Sequence, residues 1–137
     1  MSKIKYDSDL MKLMIIFESM TGSKVKDCIA NGKMTFVIEE NQMGKAIGKN
    51  GANIKRVEAA LRKKIKLVEF SNDVLQFVKN TIHPIEVNKI EQNEGIITIY
   101  GKDTSTKAML IGREKQNLNH LSDIVKRYFD VKEIKVV

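Results

Sequence analysis

The chain has 137 residues, 42% hydrophobic and 30% charged, which is enough to bury a core in one ordinary domain or two very small ones and excludes disorder by composition. No apolar run approaches the ~18 residues of a membrane span, and the polar start at Met1 to Asp9 has no apolar signal segment. A lone cysteine, Cys28, excludes an internal disulfide and, with only two histidines, leaves too few soft ligands for a zinc site, which points to a reduced, cytoplasmic protein. In chain order, Leu10, Leu13, Met14 and Phe17 follow the i, i+3, i+4, i+7 pattern of a core-facing helix over Asp9 to Met20, capped by Asp7, Ser8 or Asp9 and stopped by Gly22. A strand over Val25 to Ala30 holds Cys28 as a small core residue. The turn signal Asn31-Gly32 leads into a strand over Met34 to Glu40. A short apolar segment, Met43 to Ile47, precedes the loop Gly48-Lys49-Asn50-Gly51. A helix from Ala52 to about Lys63 and a strand from Ile65 to Phe70 complete the unit.

A shift of about 64 residues brings the same order back. Ser71 to Asp73 cap a helix bearing Val74, Leu75, Val78 and Ile82, which Pro84 ends. The turn Glu94-Gly95 opens a strand over Ile96 to Tyr100, and Asp103 to Thr106 form an N-cap cluster. Ala108 to Ile111 then precede Gly112-Arg113-Glu114-Lys115, a helix over Asn117 to Phe129, and a strand over Val131 to Val137. Ile47-Gly48-Lys49 aligns with Ile111-Gly112-Arg113, and Asn53-Ile54 with Asn117-Leu118. The predicted units are 1–71 and 72–137, and with no Gly/Ser- or Pro-rich linker they are expected to pack together.

The formal charge of +7 sits in one place. Between Asn41 and Leu67 there are eight bases (Lys45, Lys49, Lys55, Arg56, Arg62, Lys63, Lys64 and Lys66) against the single acid Glu58, and the sixteen bases and sixteen acids elsewhere cancel. Such a patch is the footprint of a polyanion partner or, more plainly, a solvated lysine-rich helix. The loop Gly48–Gly51 favours the partner. A nucleic-acid backbone approaches main chain closely only where side chains are absent, and the N–H groups of the following helix suit phosphate oxygens. Ile54, Val57 and Leu61 form the core-facing stripe of that helix, and Lys55, Arg56, Arg62 and Lys63 lie off it. The structural alternative is a helix–turn–helix corner capped by glycines. A P-loop is excluded, because Gly44 and Gly48 are separated by three residues instead of four and Asn50 replaces the hydroxyl residue after the lysine.

On these residues, above all Met43 to Leu61 (MGKAIGKNGANIKRVEAAL), the chain resembles the archaeal NusA-like transcription termination and antitermination family. The resemblance covers essentially the whole sequence. It implies an α/β (α+β) fold of two tandem type II KH domains, each a three-stranded mixed sheet with helices packed on one face, the first at 1–71 and the second at 72–137. A KH domain clamps about four nucleotides of single-stranded RNA or DNA with its G-x-x-G loop. The implied function is binding of single-stranded RNA in transcription elongation and termination, with RNA polymerase as a further partner, and with no enzymatic activity, cofactor, membrane or small-molecule substrate. Gly48 and Gly51 would admit the backbone, and Lys45 and Lys49 neutralise phosphate. Ile47 and Ile54 would wall an apolar groove for bases beside Asn50, and Lys55 and Arg56 extend the basic edge. The longer bacterial relatives carry further domains that do not fit in this chain.

The second loop departs from the pattern. Lys115 stands where the closing glycine is expected, and Glu114 brings an acid beside any phosphate. Gly112, Arg113 and Lys115 are therefore a secondary RNA contact, or the unit is a scaffold orienting the first; seven bases and four acids from Thr104 to Val137 favour the scaffold. His83 reads as a helix-end residue and His120 as exposed, with contact to RNA as the alternative. Leu118, Leu121, Val125 and Phe129 form a core stripe, and Met11 and Met14 are assigned to the core or to a partner-facing helix. Two other functions remain open: a ribosomal or rRNA-processing KH protein, and a protein adaptor on RNA polymerase.

Overall fold

The computed structural model describes residues 8–30 and 33–137, so Asp7 as a cap and the Asn31-Gly32 turn lie outside the described residues. The chain divides into two compact units between Ser71 and Asn72. No helix among the described residues is long and apolar enough to cross a membrane.

The first unit runs α1 (Ser8–Thr21), β1 (Val25–Ile29), β2 (Met34–Ile38), α2 (Met43–Ile47), a single 3-10 turn (Lys49–Gly51), α3 (Ala52–Leu61) and β3 (Ile65–Glu69). Gly22 ends α1 as expected, with φ +73 and its N–H donating to Glu18 O at 2.9 Å. The sheet order is β1-β2-β3, with β1 antiparallel and β3 parallel to the central strand. Period-2 alternation sends Met34, Phe36 and Ile38 of β2 into one cluster with Phe17 of α1, Ala46 of α2 and Val57 of α3. Phe17 stacks on Phe36 with ring centroids 4.5 Å apart, an arrangement that adds roughly 0.5–1.5 kcal/mol beyond area burial. Thr35 and Val37, which alternate with that set, are buried too. Cys28 is a fully buried core residue.

The second unit repeats the order: α4 (Val74–Ile82), β4 (Val87–Asn93), β5 (Ile96–Gly101), α5 (Thr104–Ile111), a 3-10 turn (Arg113–Lys115), α6 (Gln116–Lys126) and β6 (Glu133–Val136). Its sheet is again antiparallel then parallel, β4-β5-β6. Even the irregularity is repeated, since the register shifts between Val25 and Asp27 in β1 and between Val87 and Lys89 in β4. Asp73 caps α4, accepting from Leu75 N–H, and Asp103 caps α5, accepting from Thr106 N–H at 2.7 Å. Leu121 and Val125 are buried with Ile124, while Leu118 and Phe129 are only partly so. Phe129 and Tyr128 pack against Phe77.

Two side chains sit differently from the places their spacing suggests. Met11 is 52% exposed and outside the core, although Met14 packs against it. His120 is half-buried, not exposed, because it lies one turn before the fully buried Ile124 on the same helix face. His83 takes its expected place, ending α4 with its N–H on Lys79 O.

Candidate nucleic-acid interface

α2 ends because Gly48 leaves helical space at φ 76, ψ 172, a region open essentially to glycine alone. Its N–H still closes the last turn on Gly44 O at 2.9 Å. A Cβ there would lie 2.7 Å from Asn53 Cγ, so the position is closed to side chains sterically as well. Asn50 (φ 55) and Gly51 (φ 74) then both take left-handed conformations, which turn the chain sharply into α3. The N-cap residue of α3 is Gly51, which has no side chain to cap it, and the N–H of Ala52 donates back to Lys49 O in the 3-10 turn. The positive end of the helix dipole therefore faces the loop.

The loop is held from behind by Asn53. Its Nδ2 donates to Lys45 O at 2.7 Å, tying the first turn of α3 to the last turn of α2. The second unit contains the same device: Asn117 Nδ2 donates to Met109 O at 2.8 Å, and a Cβ on Gly112 would lie 2.6 Å from Asn117 Cγ. Neither asparagine was assigned a role from sequence. Their identical place in the two repeats was the available signal.

The predicted contact residues of the first loop come together around it. Lys45, Lys49 and Asn50 are exposed, and Ile47 is 39% exposed at the end of α2. A Cβ on Gly51 would meet only Ile54 Cγ2 at 3.8 Å and Lys55 Cε at 3.9 Å, so those two side chains border the glycine. Ile54 is partly buried against the core, and Lys55 and Arg56 point to solvent. Of the eight bases between Asn41 and Leu67, seven are exposed. The exception is Lys66 on β3, held below the ordinary lysine value first by burial and then by Lys33.

The second loop keeps the backbone of the first despite its sequence. Gly112 has φ 75 and ψ 173, Glu114 has φ 53, and Lys115 stays left-handed at φ 62, where Gly51 has 74. The missing glycine therefore leaves the turn in place and adds a strained side chain to it, together with exposed Arg113, Glu114 and Lys115.

Comparison with known proteins gives a consistent picture. A KH-domain family model matches residues 14–94. A protein of Methanococcus vannielii named probable transcription termination protein NusA is 34% identical over 98% of this chain and 80% of its own length. One of the same name in Thermoplasma acidophilum is 31% identical over 99% of this chain and 97% of its own. Among solved structures, the crystal structure of APE1850 superposes with a TM-score of 0.74 at 25% identity, covering 96% of this chain and all of that one.

Proposed function

Since the chain belongs to the KH-domain family, among archaeal proteins named probable transcription termination protein NusA, we propose that it is an RNA-binding factor of transcription elongation and termination. In this reading it grips single-stranded RNA at Gly48–Gly51 and is not an enzyme. The observation that carries the reading is the loop itself: a tight turn with two glycines at positive φ, a helix start whose N-cap residue, Gly51, has no capping side chain, and exposed lysines on both sides. Phosphate oxygens are drawn to that helix end and to Lys45 and Lys49, while Ile47 and Ile54 offer apolar surface to bases. Tandem type II KH domains at 1–71 and 72–137 fit the repeated helix-strand-strand-helix-helix-strand order and the parallel pairing of β2 with β3 and of β5 with β6. Gly112, Arg113 and Lys115 form the weaker, auxiliary contact. RNA polymerase is the second partner, and the exposed apolar side chains of α1, Met11, Ile15 and Ile16, offer it a surface.

Titration of an unstructured RNA and of the matching duplex across a salt series tests the function. With about four phosphates engaged, the log–log slope for the single strand is near −3, at about −0.7 per phosphate. Preference for the duplex, or a flat response to salt, contradicts the reading.

A further inference from the structure

The first unit carries a second basic feature that runs from Lys55 along α3 to the turn after it. An open depression of about 440 Å³ is lined by Lys55, Glu58, Ala59, Arg62, Lys63 and Lys64. Glu58, its one acid, is engaged locally. Its Oε2 accepts from Ile65 N–H at 3.0 Å and its Oε1 lies 4.0 Å from Lys64 Nζ, which holds the turn from α3 into β3. Lys55, Arg62 and Lys63 are left as exposed positive charge around it.

The second unit keeps two of these bases, at the positions of Arg62 and Lys63, and lacks the other two and the acid. In the 64-residue repeat the corresponding positions are Asn119, Ser122, Asp123, Lys126, Arg127 and Tyr128, and that helix passes into its turn with Arg127 at an ordinary φ of −67. In the first unit Arg62 is left-handed, φ 55 and ψ 39, at the position where helices favour glycine. A guanidinium is thus kept at a strained site that glycine would occupy at no steric cost. Helix-end cations do complement the dipole, but that accounts for one or two charges and not for a lined depression. Lys55 joins the two features, since it borders Gly51 and also lines the depression.

Resting on the clamp reading above, we propose that this depression is a second phosphate site for the same RNA strand. RNA held at Gly48–Gly51 continues along α3, about 15 Å for its ten residues, and Arg62, Lys63 and Lys64 take the phosphates beyond the clamp.

The test compares a strand of about four nucleotides, which fills only the clamp, with one of about sixteen, on wild type and Arg62→Gly. Glycine relieves the left-handed strain, so Arg62→Gly melts no lower than wild type. It leaves the short strand unaffected and weakens the long one by about fivefold near 0.1 M salt, with a slope shallower by about 0.7. The triple variant Arg62→Gln, Lys63→Gln, Lys64→Gln flattens the long-strand slope by about 2. Unchanged long-strand binding in both variants, with normal short-strand binding, overturns this inference alone. A wild-type protein that ignores the short strand overturns the clamp and this inference together. A polyglutamate peptide that binds wild type as tightly as the long strand, and loses that affinity in the triple variant, overturns the assignment to RNA in favour of an acidic protein.

Discussion

Gly51 and Asn53 show how far single residues could be read. The need for glycine at 48 and 51 followed from the approach of a phosphate backbone, and both positions have positive φ. The reason for Asn53 was not legible, because its partner, Lys45 O, is defined only once α2 and α3 fold back on each other. Removing the donor with Asn53→Ala should cost about 1 kcal/mol and loosen the loop, seen as a lower denaturant midpoint together with weaker RNA binding. Wild-type stability and affinity in that variant would show that the bond does not hold the loop. Gly51→Asp separates binding from folding more cleanly. A Cβ there meets nothing closer than 3.8 Å and Asp tolerates the left-handed region, so the fold survives with a loss of about 1 kcal/mol. The carboxylate lies where the proposed clamp would take phosphate, so RNA affinity should fall roughly tenfold or more. A folded variant, verified by circular dichroism and melting, that binds RNA normally shows that this loop is not the clamp.

At the scale of elements, periodicity placed most helices and strands to within a few residues, because each has one distinct apolar face. It failed where that face is broad. In α1, Leu10, Met11, Leu13, Met14, Ile15, Ile16 and Phe17 are nearly continuous, so spacing cannot say which side meets the sheet, and Met11 emerged exposed. The Asp103 cap of α5 was legible from its Asp-Thr-Ser-Thr cluster, and it carries a pH signature. Hydrogen bonds from the backbone N–H and side chain of Thr106 hold its carboxyl below the ordinary value of about 3.8. A depressed acid contributes stability that is present above its unfolded value and lost as pH falls through the folded one. Asp103→Asn keeps a capping oxygen but not the charge. Wild type should therefore melt higher than Asp103→Asn at neutral pH, with the gap closing below about pH 3.8. A gap independent of pH contradicts a contribution from the charged cap.

Across the whole molecule, the sequence repeat and the uneven charge together pointed to one strongly basic unit and one nearly balanced one. What composition alone could not show is that the second loop keeps the backbone path of the first, with Lys115 tolerated at φ 62. The difference between the loops is therefore chemical and not conformational. Lys49 lies between two glycines in the segment that holds the entire net charge, whereas Arg113 is followed by Glu114 and by a side chain in place of the closing glycine. Charge reversal removes one phosphate contact and adds a repulsion, roughly a kcal/mol or more where the contact exists. The most direct measurement is the affinity of Lys49→Glu and Arg113→Glu for one long single-stranded RNA at a single salt concentration. Lys49→Glu should lose far more affinity; an equal loss, or a larger one for Arg113→Glu, would contradict the assignment of the principal clamp to Gly48–Gly51.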